Sequence, residues 1–280
     1  TVNCFSIVAQ TPESLSVLRT NQSISLRFSA SVTASSCTLG AGNLTTGGTI
    51  SYSVSTTSIT DDTLTISTTT TWNPASVSQQ ITCTSAAGNS LANGTHTFRY
   101  TIPSSVSYVS SASGADGNSG TSPAAPVRTI QRGINVLGAC GTPPCVVYVE
   151  DGTYEAEDFG QNFITLSVGV SLYGGYTAGS SFATRNASAR LTLIQNSAPT
   201  VCGASAIPLT PCKTILVPGT VTNNTFIDGF RITGASTSSD STAISIVGGK
   251  PIISNNTISG GSSNNAAGII INNFGGSSAG

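Results

Sequence analysis

A chain of 280 residues with a net charge of −1, 8% charged residues and no cluster of Lys or Arg lacks the positive stripe that phosphate backbones require, which argues against nucleic acid as a partner. Its 38% hydrophobic residues fall in short β-branched runs, too apolar for disorder, and Ser plus Thr, roughly 30% of the chain, must carry its solubility. No stretch reaches the ~18 apolar residues of a membrane helix, so any anchor is expected outside this chain, and the absence of Met fits a removed signal peptide or an excised fragment.

Residues 1–104 read as an all-β domain. Alternating runs occur at CFSIVAQ (4–10), SISLRFSASV (23–32), TISYSVS (49–55), TLTISTTTTW (63–72), VSQQITC (77–83) and THTFRYTI (95–102). Short strands at intervals of roughly 8–12 residues predict a β-sandwich. Cys37, Trp72 and Cys83 suggest an immunoglobulin-like core, although their order and spacing differ from antibody domains. His96, the single histidine, has no second His with which to build a triad, so its expected role is structural.

The second domain is expected over 105–280. A strand around Tyr108 and a small-residue loop lead into VRTIQRGINVL (127–137), where Val127, Ile130, Ile134 and Leu137 share one face of a short helix. Short apolar segments follow: VVYVEDGTY (146–154), ITLSVGVSLYGGY (164–176), LTLIQ (191–195), TILV (214–217), FIDGFRITG (226–234), AISIVGG (243–249), PIISNNTISGG (251–261) and GIIINNFGG (268–276). Ile232-Thr233-Gly234 recurs 26 residues on as Ile258-Ser259-Gly260, and Ala243–Ile246 recurs 25 residues on as Gly268–Ile271. Asn223-Asn224-Thr225 recurs 32 residues on as Asn255-Asn256-Thr257. A unit of this length cannot bury its apolar face alone, and stacking such units into a parallel β-helix does bury it. The paired asparagines are expected to stack into ladders between successive turns.

The seven cysteines show no CxxC zinc spacing. Cys140 and Cys145 flank Gly-Thr-Pro-Pro, and Cys202 and Cys212 flank a nine-residue loop. Both pairs read as disulfide-closed loops, which need an oxidising compartment. Cys37 and Cys83 are expected to tie two sheets together, which leaves Cys4 lipidated, bridging to another subunit, or simply buried.

YVSSASGADGNSGTSPAAPVRTIQRGINVL, VVYVEDGTYEAE, GVSLYGGY and FIDGFRITGA together resemble the pectin-lyase-like superfamily and, more narrowly, its surface-protein branch grouped as domain of unknown function 1565. The resemblance covers residues 107–280 and implies a right-handed parallel β-helix whose N-terminal end is capped by the helix near 127–137. It says little about activity, because the superfamily holds lyases, hydrolases, adhesins and passenger domains.

Lyases of this kind use carboxylates to hold Ca²⁺ and an Arg or Lys as base. Glu150, Asp151, Glu155, Glu157 and Asp158 form the densest acidic stretch and are the candidate Ca²⁺ ligands, against the plainer reading of a solvated loop. Arg231 and Asp228 are the catalytic candidates, and no group of aspartates of the hydrolase type accompanies them. Six Asn-x-Ser/Thr sequons, at Asn21, Asn43, Asn93, Asn186, Asn223 and Asn255, are about as many as chance gives in so Ser- and Thr-rich a chain. After Ile269, Ile270, Ile271 and Phe274 no polar cap follows, so this end is expected to be an assembly surface, with self-association or surface glycans as partners. The expected function is a non-catalytic bacterial cell-surface or extracellular structural or adhesive protein, with head-to-tail assembly into a filament as one expected form. The alternative is a polysaccharide-binding or polysaccharide-cleaving protein.

Overall fold

The computed structural model describes residues 5–156, 163–189, 191–197, 212–235, 240–262 and 265–272. The chain divides into two compact units, Thr1–Ser104 and Ser105–Gly280.

The first unit contains β1 (Ile7–Thr11), β2 (Ser16–Val17), β3 (Ile24–Phe28), β4 (Val32–Gly42), β5 (Ile50–Ser55), β6 (Thr63–Thr68), β7 (Ala75–Ser85) and β8 (His96–Ile102). They form two four-stranded sheets in the orders β1-β3-β6-β5 and β2-β8-β7-β4. Every pairing is antiparallel except β2 with β8. Alternate residues of a strand point to one face, and Ile24, Leu26 and Phe28 of β3 are accordingly buried with Leu64, Ile66, Ile81 and Phe98 in a single core. Trp72 joins it, and its indole N–H donates to the Gln22 carbonyl at 2.8 Å.

Sequence alternation finds six of these eight strands and misses the two-residue β2 and also β4, whose VTASSCTLGAG is built of small and hydroxyl residues. Tertiary pairing with β7 holds it as a strand, Cys37 standing opposite Cys83. Their disulfide, with Cα atoms 4.2 Å apart, therefore joins neighbouring strands of one sheet. The expectation that it ties two sheets together is corrected: directly opposed residues in an antiparallel pair already lie at disulfide distance.

His96 Nε2 lies 2.9 Å from Gln10 Oε1, the Gln10 amide donates to the Tyr100 hydroxyl at 2.8 Å, and that hydroxyl donates to the Pro12 carbonyl at 2.8 Å. The chain of bonds ties the β1 region of one sheet to β8 of the other. Burial lowers the imidazole pKa and raises that of the phenol.

Asp62 closes the β5–β6 turn, accepting from the N–H groups of Thr57, Ser58 and Ile59 at 2.8, 2.9 and 2.9 Å and from the Thr63 hydroxyl at 2.9 Å. Burial opposes ionisation, but these donors prevail and hold the carboxyl well below the usual carboxylate range. A depressed folded pKa gives stability that is complete above the unfolded value of about 3.9 and lost as pH falls toward the folded one. The denaturation midpoint read by Trp72 fluorescence is therefore expected to fall below about pH 4, and Asp62→Asn to flatten that fall. An unchanged acid limb in the variant would remove Asp62 from the account.

The second unit opens with β9 (Ser105–Val109) and the helix α1 (Ile130–Leu137). Then come β10 (Cys145–Glu150), β11 (Gly152–Glu155), β12 (Ile164–Thr165), β13 (Val170–Tyr176), β14 (Thr192–Gln195) and β15 (Cys212–Pro218). The last six are β16 (Phe226–Asp228), β17 (Phe230–Thr233), β18 (Ser241–Val247), β19 (Ile252–Ser254), β20 (Thr257–Ser259) and β21 (Ala266–Asn272). From β10 onward the chain visits three sheets in rotation: sheet I (β9-β10-β13-β16-β19), sheet II (β11-β14-β17-β20) and sheet III (β12-β15-β18-β21). All the pairings are parallel.

The repeats set the register. Ile232 pairs with Ile258 and Ile244 with Ile269, the offsets seen in the sequence. Ile227, Ile232, Ile244 and Phe230 are completely buried in one core with Val147 and Leu172. The Asn-Asn-Thr recurrence is not a structural equivalence: Asn223 and Asn224 precede β16, whereas Asn255 and Asn256 join β19 to β20. The expected ladder of these pairs is therefore corrected. Asn256 reaches back one pass of the chain instead, accepting from Phe230 N–H at 2.9 Å and donating to the Ile227 carbonyl at 2.7 Å.

Helix α1 begins three residues later than the apolar face suggests, because Val127 bridges to Val109 of β9. Thr129 caps it, accepting from Arg132 N–H at 3.2 Å, and Asp116 takes the N–H groups of Arg128 and Thr129 at 2.9 and 3.0 Å. Gly133 lets the helix lie against the sheets, since a Cβ there would meet Val109 Cγ2 at 2.5 Å and Val147 Cγ1 at 3.0 Å. The buried Gln131 accepts from Thr165 N–H of β12 at 2.7 Å, so a helix side chain satisfies a donor of the first strand of sheet III.

Candidate functional site

Register places Tyr108, Tyr148, Tyr173, Asp228 and Ser254 in one row across sheet I. Their neighbours Val147, Leu172 and Ile227 point into the core, so by strand alternation the row lies on the outer face. Asp228 is nonetheless fully buried, because the segment between β13 and β14 folds over it. Arg185 from that segment makes an ion pair with Asp228 Oδ1 and also donates to the Asp228 carbonyl at 3.2 Å and, through Nε, to the Gly174 carbonyl at 2.8 Å. The other carboxylate oxygen accepts from Ser254 Oγ at 2.6 Å and Asn255 Nδ2 at 2.8 Å. Gly229, at φ 86°, makes this possible: a Cβ would lie 2.7 Å from Arg185 Nη2 and 2.9 Å from the Gly174 carbonyl.

The same segment covers an aromatic patch. Ring centroids are 5.7 Å apart for Tyr108–Tyr148, 4.5 Å for Tyr148–Tyr176, 5.9 Å for Tyr176–Phe182 and 5.0 Å for Tyr108–Phe182, a closed circuit of four rings. Tyr173 stacks with Phe226 at 6.1 Å, and the Arg185 guanidinium lies 5.2 Å from the Tyr173 ring. The patch was not legible in the sequence, since its members are spread over residues 108–226. The available signal was parity: all but Phe182 occupy, or lie beside, outward positions of sheet I.

Arg231 stays exposed on the outer face of sheet II, in a row with Thr153, Leu193 and Thr257. Asp228 and Arg231 thus belong to different sheets, three residues apart but on opposite sides of the Gly229 turn.

The acidic stretch is dispersed. Glu150 is a buried strand end. Asp151 accepts from the Thr192 hydroxyl at 3.3 Å, and burial raises its pKa against that bond. Glu155 accepts from the Gln195 amide at 2.5 Å and from Ser197 N–H and Oγ at 3.1 and 2.7 Å. Glu157 and Asp158 lie outside the described residues. Ca²⁺ takes about six to eight converging oxygens, and among the described residues no three His, Cys, Asp or Glu side chains form such a group.

Cys140 and Cys145 are joined, closing the loop before β10. Cys212 is also disulfide-bonded, while its expected partner Cys202 and the leftover Cys4 lie outside the described residues. No helix among the described residues is long and apolar enough to cross a membrane.

These features define an all-β protein with parallel sheets and disulfides. The family described as Protein of unknown function (DUF1565) matches residues 112–280, more than half of the chain, and the chain belongs to it. No curated protein matches. Among solved structures, PcoC, a methionine rich copper resistance protein from Escherichia coli, is similar at 14% identity and a TM-score of 0.26, over 35% of this chain and 98% of that one. LD transpeptidase LdtMt1 in complex with imipenem is similar at 11% identity and a TM-score of 0.24, over 39% of this chain and 44% of that one. Neither likeness bears on fold or function at these scores.

Proposed function

We propose that this chain is a non-catalytic structural or adhesive protein of an extracellular surface, an immunoglobulin-like β-sandwich followed by a right-handed parallel β-helix of the pectin-lyase-like kind. The observation that carries the reading is the commitment of Asp228. Both of its oxygens are taken by Arg185, Ser254 and Asn255 in a fully buried setting, which suits a fastening and leaves no free carboxylate there for catalysis. The disulfides support an oxidising, extracellular location. Of the residues expected at an assembly end, Ile269, Ile270 and Ile271 stand on β21, paired with Ile244, Ser245 and Ile246 of β18. Phe274 lies outside the described residues.

The exposure of Arg231 favours a second reading, in which the outer face of sheet II holds or cleaves an anionic glycan. Incubation with polygalacturonate and alginate, with and without Ca²⁺, separates the two by the ultraviolet absorbance of an unsaturated uronate. No product is expected. Product formation that disappears in Arg231→Ala would replace the structural reading with a lyase.

A further inference from the structure

The four edge strands of the first unit are not alike. β1 is broken by a register shift between Ile7 and Ala9 and runs into Pro12. β2 is two residues long. β4 carries register shifts between Val32 and Cys37 and between Leu39 and Gly42. Irregularity, proline and brevity are the devices by which proteins keep sheet edges from pairing with other chains.

β5 has none of them. It keeps unbroken register with β6 over all six residues, and its sequence, ISYSVS, holds no charge and no proline. No strand pairs with its other side among the described residues. Its inward row Ile50, Tyr52 and Val54 is only half-buried, while Leu64 and Ile66, opposite Val54 and Tyr52 on β6, are completely buried.

We propose that β5 is an interaction edge that pairs with β5 of a second copy of this chain. An edge without charge offers nothing to select a partner of opposite sign, but it is complementary to itself. A two-fold axis perpendicular to the sheet sets the two strands antiparallel, apolar row beside apolar row and serine row beside serine row. The added strand satisfies the free N–H and C=O groups of the edge and covers Ile50, Tyr52 and Val54. The joint is closed and two-fold, and it does not depend on the function proposed above.

Sedimentation of the full chain over a wide concentration range tests it. A monomer–dimer equilibrium is expected. Ser53→Lys, at an exposed outward position, sets two like charges near the two-fold axis and is expected to raise the dimer Kd by about tenfold or more. Ser35→Lys, exposed on the irregular edge β4, is expected to leave it unchanged. Monomer at every concentration, or a Ser53→Lys dimer as tight as its parent, overturns the proposal. If Trp72 fluorescence shows that the lysine variant has not folded, amide hydrogen exchange of the unaltered chain decides. Protection across residues 50–55 that grows with concentration supports the β5 joint, and protection independent of concentration refutes it.

Discussion

Asp228→Ala is expected to cost about 3–5 kcal/mol, the usual result of removing one partner from a buried ion pair. The loss has identifiable parts. The Arg185 guanidinium would keep its bond to Gly174 but lose its counter-charge, and the Ser254 and Asn255 donors would face an empty space. The segment that covers the tyrosines would lose its fastening to β16. Denaturation followed by tyrosine near-ultraviolet circular dichroism should show the drop. Trp72, the single tryptophan, lies in the first unit and serves as an internal check on that unit. Replacing both partners, Arg185→Met with Asp228→Leu, is expected to recover most of the loss, since apolar side chains of similar volume avoid the desolvation cost. A single-variant loss below about 1 kcal/mol, the level of an exposed pair, would show that water reaches the site and that the pair is not the fastening described.

Phe28→Ala is expected to cost about 3–5 kcal/mol in the first unit. Phe28 is 1% exposed and stacks on Phe5 with ring centroids 5.2 Å apart and planes 13° apart. It lies at the end of β3, where Ile24, Leu26 and Phe28 supply the inward row of a central strand. Truncation removes the transfer energy of the ring and leaves a cavity that flanking strands, held by their ladders, cannot close. The midpoint read by Trp72 fluorescence should fall, whereas a substitution at the exposed Thr97 of β8 should leave it nearly unchanged. A loss under about 1 kcal/mol would mean that the two sheets move together to fill the space.

Much of this protein is written in its sequence. Alternation of apolar and polar residues marks β3, β5, β6, β7 and β8 because a pleated strand with one buried face must alternate. The recurrences of Ile232 at Ile258 and Ile244 at Ile269 are true register partners, because inward positions of successive passes meet the same core. The Gly/Ser loop and the apolar face of 127–137 announce a helix. β4 escaped notice because its small and hydroxyl residues carry little alternation, and its strand exists through pairing with β7. The Asn-Asn-Thr recurrence misled, because two short polar triplets fall in different corners of the chain's path.

The candidate site divides the same way. Residue type and spacing singled out Asp228 and Arg231, but their neighbours in sequence say nothing about which carboxylate is buried. That was decided by Arg185, 43 positions away on a segment of irregular length, folding over the outer row of sheet I. The four-ring aromatic patch has the same origin, assembled from strands that become neighbours only when the passes stack. Local periodicity is set by the geometry of single strands and survives in the sequence. Which charge meets which, and which face is covered, depends on loops whose path is chosen by the burial and hydrogen bonding of the whole unit.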